Sequence, residues 1–220
     1  MQTAIRLILQ SDKQRITQAI IQDKMIKDNL KDDLAGSDVK QQLDNIFKEN
    51  LNLAGKFDFS QIATLTTEIN NANRIFIIAA GRSGFSMRST AMRLMHLGLN
   101  VFFVGDTTTP AISKGDLLIA ASGSGTTSSI VRAAEKSVSA GATVVALSTN
   151  ATSPLAALAK HIILIPAAEK EDHGGDLSKQ YAGSLFEQFL LLLLDAVFQS
   201  LWKIDGTPAE ELWKRHANME

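Results

Sequence analysis

A short loop rich in hydroxyl side chains follows one of the most apolar runs in the chain. The run 117–121 leads into Ser122-Gly123-Ser124-Gly125-Thr126-Thr127, and a helical pattern begins just after it. Glycines let the backbone approach an anion closely, and the free N–H groups at a helix start favour negative charge. Ser122, Ser124 and Thr127 add hydroxyl donors. A flexible loop with N-capping hydroxyls has the same composition, but the position after a strand favours a phosphate site.

A second loop of this kind, Ala80-Gly81-Arg82-Ser83-Gly84, follows the apolar run 75–79. If the two strands are neighbours, Gly81, Arg82 and Ser83 face the same crevice as the first loop. Arg82 could then pair with a phosphate or with a polarised sugar oxygen, although a surface arginine at a helix start would look the same. The complete Gly-x-Gly-x-x-Gly fingerprint and the Gly-Lys-Ser/Thr of a Walker loop are both absent, so neither nucleotide motif is indicated.

Glu187 lies within the most apolar helical segment of the chain. Phe186 and Phe189 flank it, so the carboxylate is expected to be buried rather than solvated. A buried carboxylate beside a phosphate site suits a general base. The alternatives are a helix-start carboxylate favoured by the dipole, or an ion pair at an interface.

The chain contains four histidines. His96 is expected at the edge of the core at a helix end, His161 at the start of a strand, and His173 in an exposed polar loop. His216 lies four residues from the C-terminus and by composition belongs to a frayed tail. No two of them have the spacing of metal ligands, so no metal site is predicted.

The elements that must position these residues change in type at Arg74. Up to about residue 72 the pattern is helical, with a break predicted at residues 36–38. Short apolar runs separated mostly by helix-length segments then predict a parallel sheet, a loop from 169 to 179 and a long helix from about 181 to 203. The runs are residues 75–79, 101–104, 117–120, 144–147 and 162–165. The predicted fold is an α/β three-layer sandwich, whose ligands bind at the carboxyl ends of the strands.

Composition excludes several classes of function. The 220 residues carry a net charge of −1 and no cysteine, which argues against a nucleic-acid partner, a disulfide framework and a thiolate metal site. Residues 1–73 have almost equal numbers of acidic and basic side chains, unlike a DNA-binding arm. The apolar run 189–194 is too short to span a bilayer, and no secretory signal is evident. We expect a cytoplasmic protein.

The motifs resemble those of the SIS (sugar isomerase) domain family, and more closely the 6-phospho-3-hexuloisomerase family. The resemblance runs from about residue 40 to the end, and the motifs keep their order. They are Gly-Arg-Ser-Gly at 81–84, Ala-Met-Arg-Leu-Met-His at 91–96, Val-Gly-Asp-Thr at 104–107 with Thr109-Pro110, Ser-Gly-Ser-Gly at 122–125, Gly-Ser-Leu-Phe-Glu at 183–187 and Arg-His-Ala-Asn-Met-Glu at 215–220.

The resemblance implies a flavodoxin-like SIS domain that interconverts D-arabino-hex-3-ulose 6-phosphate and fructose 6-phosphate through a C2–C3 enediolate. That step belongs to the ribulose monophosphate pathway of formaldehyde assimilation. The resemblance further implies no cofactor, a homotetramer, Glu187 as the base, and His216 assisting ring opening in a neighbouring subunit's site. This role replaces the interpretation of His216 as a frayed tail.

Two departures from the family pattern keep alternatives open. Thr126 stands where the family usually has glutamate, and Tyr181-Ala182 replaces a segment that usually contains proline. An isomerase of another phosphosugar, such as a pentose or heptose phosphate, and a non-catalytic sugar-phosphate sensor therefore remain alternatives. We expect residues 1–36 to be a helical extension and residues 37–220 to be the SIS domain.

Overall fold

The computed structural model describes residues 2–169 and 178–219, with side chains from residue 35 onward and at a few earlier positions. The predictions for His173 and for most of the polar loop therefore lie outside the described residues. Two compact units are present, Met1–Lys48 and Glu49–Glu220.

The first unit is helical throughout its described residues and belongs to helix α1 (Gln2–Lys56). The predicted break at residues 36–38 was wrong, because the helix runs through Gly36. A single glycine in an exposed helix costs only about 1 kcal/mol relative to alanine, which does not end a helix by itself. On the exposed surface, Lys27 pairs with Asp23 and Lys40 with Asp44, each at the i, i+4 spacing that supports a solvated helix.

The second unit alternates strands and helices after the end of α1. Its elements are α2 (Gln61–Asn71), β1 (Ile75–Ala79), α3 (Gly81–His96), β2 (Val101–Phe103), β3 (Leu117–Ala121), α4 (Ser128–Ser139), β4 (Thr143–Ser148), α5 (Pro154–Leu158), β5 (His161–Leu164), α6 (Ser184–Asp205) and α7 (Ala209–Trp213). His161 opens β5 and His96 closes α3, as the sequence predicts.

The five strands form one parallel sheet in the order β2-β1-β3-β4-β5. The predicted α/β sandwich is confirmed. The chain moves from β1 outwards to β2 and then returns to the other side of β1 to form β3. This reversal leaves a crevice at the carboxyl ends of β1 and β3, where ligands bind in such sheets.

Alternate residues of each strand pack on opposite faces of the sheet. On one face, Ile77 and Ile119 join a core that includes α6. On the other face, Ile78 and Leu118 pack with Ile130 of α4. Burial on both faces explains why the strands appear in the sequence as continuous apolar runs instead of alternating patterns.

Helix α6 is long and apolar enough, by length and composition, to cross a membrane, but 61% of that apolar window is buried inside the protein. Most of its buried residues belong to the core on one face of the sheet. Its predicted start near Tyr181 was three residues early, because Ala182 and Gly183 have positive φ angles of 39° and 76°. The left-handed conformation at these two residues turns the chain just before the helix.

An ion pair joins β1 and β3 at the amino ends of the strands. Arg74 donates from Nε and Nη2 to the two carboxylate oxygens of Asp116, at 3.0 and 2.6 Å. The Ser113 amide also donates to Asp116, which is only 2% exposed. Burial raises the pKa of Asp116, but the hydrogen bonds from Arg74 and Ser113 outweigh it, so the net pKa lies below the ordinary value.

We expect Asp116→Asn to lower the free energy of unfolding by about 2 kcal/mol at pH 7, because it removes the negative charge that pairs with Arg74. A depressed carboxyl pKa contributes stability above the unfolded pKa of about 4, and this contribution is lost as pH falls through the folded value. The difference between wild type and variant should therefore shrink at acidic pH. Urea unfolding at pH 7 and near pH 3 measures it, and an equal difference at both pH values would contradict this account.

Candidate functional site

The loop after β3 is held in one shape by its own hydroxyl groups. The Oγ of Ser122 lies 3.0 Å from Oγ1 of Thr127 and accepts from the Gly125 amide at 3.1 Å. The Oγ of Ser124 lies 2.9 Å from Oγ1 of the exposed Thr126. The loop is therefore ordered before any ligand binds, which reduces the entropy lost on binding.

The same loop is fixed to the end of β4. The carbonyl of Gly123 accepts hydrogen bonds from Ser148 Oγ and Thr149 Oγ1, both at 2.8 Å, and from the Thr149 amide at 3.0 Å. Gly125 has φ of +64°, and a Cβ atom there would lie 2.1 Å from Ser153 Oγ. Both the conformation and the space therefore require glycine at this position.

Thr127 precedes α4 as its N-cap, yet its side chain makes no capping hydrogen bond to the described amides of that helix. Its hydroxyl instead contacts Ser122. The first amides of a helix have no intrahelical acceptor and attract anions. The start of α4 is thus a suitable place for a phosphate group, as the sequence predicts.

A cavity of about 200 Å³ opens between α6 and two hydroxyl loops, residues 80–84 after β1 and residues 122–127 after β3. Because β1 and β3 are neighbours, the two loops do meet there. The sequence-predicted residues on its wall are Gly81, Ser83, Ser122, Gly123, Ser124, Thr127 and Glu187. Arg82 is not among the wall residues, and it meets the site through its contact with Glu187.

Glu187 lies in the first turn of α6 and is 6% exposed. Its Oε2 atom lies 3.1 Å from Nη1 of Arg82, which also donates to Ser184 Oγ at 3.0 Å. Among the described residues, that carboxylate oxygen accepts no hydrogen bond of good geometry. Arg82 therefore balances the charge of Glu187. The predicted burial of Glu187 among aromatic side chains is confirmed, since Phe186 and Phe189 are 2% and 4% exposed.

His216 does not lie at this cavity. Its ring stacks on His96 with the centroids 3.9 Å apart, and the neighbouring Arg215 donates to the His96 carbonyl at 2.7 Å. His96 ends α3, whereas Gly81 of the cavity begins it, and the length of the helix separates the two ends by roughly 22 Å. Burial and the nearby His216 and Arg93 lower the pKa of His96, which is neutral at pH 7.

Two of the wall residues that sequence reasoning did not assign to the site are of chemical interest. Glu169 lines the cavity, and its Oε1 accepts from Thr149 Oγ1 at 3.2 Å. Phe186 also lines it, close to Gly123 of the hydroxyl loop. Glu169 follows β5, so the rule that places ligands at the carboxyl ends of strands could have found it. Within residues 2–169 and 178–219, no cluster of three or more His, Cys, Asp or Glu side chains could hold a metal ion.

The comparisons with known proteins agree on one family. The SIS domain family matches residues 68–191. A 3-hexulose-6-phosphate isomerase from Mycobacterium gastri is 51% identical over 93% of this chain and 100% of its own. One from Bacillus subtilis is 40% identical over 80% of this chain and 95% of its own.

A solved structure agrees with these relatives. A hypothetical protein from Methanococcus jannaschii, whose crystal structure led to the inference that it is a 3-hexulose-6-phosphate isomerase, is 32% identical in sequence to this chain. The two structures superpose with a TM-score of 0.71. The match covers 82% of this chain and 99% of that one. The hydroxyl loops, the parallel sheet and these relatives together place the chain in the SIS domain family, among the 3-hexulose-6-phosphate isomerases.

Proposed function

We propose that this protein interconverts D-arabino-hex-3-ulose 6-phosphate and fructose 6-phosphate. The observation that carries the proposal is a buried carboxylate, Glu187, which lies on the wall of the same cavity as the hydroxyl loop and is paired with Arg82. The 3-hexulose-6-phosphate isomerase from Mycobacterium gastri matches the chain over 93% of its length. A pentose or heptose phosphate is a weaker candidate, because Thr126 points to Ser124 and is not part of the cavity wall.

The phosphate binds where α4 begins. Ser122, Ser124 and Thr127 supply hydroxyl groups, Gly123 allows close approach, and Gly81 and Ser83 close the other side. The phosphate is remote from the reacting carbons, so its binding energy can hold C2 and C3 in place during the reaction.

Glu187 moves the proton between the two carbons. It takes the proton from C2 of the hexulose, and the C2–H electron pair forms a C2=C3 double bond while the C3 carbonyl becomes an enediolate oxygen. The same carboxylic acid then returns the proton to C3. The C2 carbonyl forms as the C2 hydroxyl loses its proton, and the oxygen at C3 gains one. No electron leaves the sugar, so the reaction requires no cofactor.

Arg82 stabilises the negative charge of the enediolate. Its guanidinium stays protonated throughout and already lies 3.1 Å from the carboxylate that moves the proton. The site can therefore hold the negative charge either on Glu187 or on the sugar oxygens with little rearrangement.

His216 serves the site of a neighbouring subunit, where it assists opening of the sugar ring. The support is geometric. The exposed face of α3 carries large apolar side chains, among them Phe85, Met92 and Met95. If two copies pack these faces antiparallel about a two-fold axis, the His96 end of one helix, with His216 stacked on it, reaches the cavity end of the other. The homotetramer implied by the resemblance would contain such pairs.

The wider setting follows from the reaction. Fructose 6-phosphate formed from a hexulose phosphate suits the ribulose monophosphate pathway of formaldehyde assimilation, in the cytoplasm. Residues 1–36 are proposed as an extension outside the isomerase domain formed by residues 37–220.

Formation of fructose 6-phosphate from the hexulose phosphate, measured with a coupled assay, tests the function. We expect Glu187→Gln to reduce kcat by about 10³-fold, because the amide cannot accept the C2 proton. Glu135→Gln, which changes an exposed glutamate on α4, is the matched control and should keep wild-type turnover. No turnover by the wild type would refute the proposed reaction, and normal turnover by Glu187→Gln would refute its base.

Coexpression of two inactive variants tests the role of His216 across subunits. We expect His216→Asn and Glu187→Gln to be poorly active alone. Random pairing of the two chains should create one intact site in half of the dimers, or about a quarter of wild-type activity. If His216 acts within its own subunit, no paired chain has an intact site, and no activity will return.

A further inference from the structure

A carboxylate outside the cavity holds the segment that leads into α6. Glu49, near the end of α1, accepts three hydrogen bonds from residues that are far away in the sequence. The donors are Ser178 Oγ at 2.7 Å, the Lys179 amide at 2.9 Å and Gln180 Nε2 at 2.9 Å. The start of the segment 178–183 is thus fixed to α1.

The contact continues to the residue after the proposed base. Gln180 Oε1 accepts from Gln188 Nε2 at 2.7 Å, and Gln188 Oε1 accepts from Asn50 Nδ2 at 2.9 Å. Glu49 can only accept hydrogen bonds, so Gln180 must turn its NH₂ group towards it and its oxygen towards Gln188. The carboxylate thereby fixes the orientation of both amides.

The residue that follows this segment, Ser184, contacts both the segment and Arg82. Ser184 Oγ donates to the Tyr181 carbonyl at 2.6 Å and accepts from Arg82 Nη1. Between the two ends, Ala182 has φ of 39°, a conformation that costs alanine about 1–2 kcal/mol. Such a turn persists only where contacts on both sides hold it.

We infer that Glu49 is a positioning residue for the isomerisation. Through Gln180 and Gln188, it fixes the position of Glu187 relative to Arg82, although it touches neither of them. The inference rests on the proposed function, because it assigns Glu49 to the same proton transfer. If Glu49 made only a structural contact, its loss would not change turnover separately from phosphate binding. A positioning role predicts such a change.

Glu49 remains ionised under the conditions of any assay near neutral pH. Burial raises its pKa, but the hydrogen bonds from Ser178, Gln180 and Lys179 outweigh this effect, and the net pKa is lower than ordinary. The hydrogen bonds from residues 178–180 to Glu49 are therefore the same at all pH values near neutrality.

Steady-state kinetics of Glu49→Gln test the inference. One end of the new amide is an NH₂ group, which must face either the Lys179 amide or the donors Ser178 and Gln180, so at least one donor loses its acceptor. We expect kcat to fall about 10- to 100-fold, as a displacement near 1 Å at the reacting atoms would cause. The inhibition constant of inorganic phosphate, which reports the loop after β3, should change less than about twofold.

Glu68→Gln is the matched control. Glu68 is also a carboxylate that is mostly shielded from solvent, and it pairs with two residues that are distant in the sequence, Lys160 and His161. Its partners stand at the amino end of β5, the opposite edge of the sheet from the cavity. This variant should lose stability and keep the wild-type kcat. An equal fall of kcat in both variants, or none in Glu49→Gln, would overturn the inference while the turnover of the wild type still supports the function.

A crystal structure of Glu49→Gln gives a second readout that needs no substrate. We expect displacement of residues 178–183 and a longer distance from Arg82 Nη1 to Glu187 Oε2 than the 3.1 Å of the wild type. An unchanged segment and an unchanged distance would overturn the inference, even if the wild type proved inactive on the hexulose phosphate.

Discussion

The structure of the site depends on the contact between Arg82 and the buried carboxylate of Glu187. A carboxylate that is almost withdrawn from water is costly unless a cation balances it. The cation comes from the start of α3, and the carboxylate from the start of α6. The two helices must therefore begin side by side at the same edge of the sheet. The hydroxyl loop after β3 completes the cavity, because β3 lies beside the strand that precedes α3.

The arrangement of charge fits the proton transfer. In the proposed reaction, the negative charge moves from Glu187, beside Arg82, to the oxygens of the enediolate. The Arg82 guanidinium, which contacts Glu187 and Ser184 Oγ, could stabilise both states without a large movement, which is how preorganised sites lower a barrier. The hydrogen bonds of Glu49 hold the segment that enters α6.

The sequence predicted the features that depend on local composition. Continuous apolar runs identified the strands, and the succession of strand, glycine-rich loop and helix placed the loop with Ser122 at the cavity, where we propose that the phosphate binds. The break at Gly36 was wrong, since a weak local signal did not end a long helix. The partners of Glu49 could not be predicted, because they lie about 130 residues away and only the folded chain brings them together. The tail position of His216 against His96 is non-local in the same way.

Hydrogen exchange on the substrate tests the central claim most directly. Fructose 6-phosphate incubated with the protein in D₂O can be followed by proton NMR at each carbon. If Glu187 and Arg82 form and protonate a C2–C3 enediolate, the C3 hydrogen exchanges with solvent, the C1 hydrogens do not, and replacing Glu187 by glutamine abolishes the exchange. Exchange at C1, or C3 exchange that persists without the carboxylate, would contradict the account.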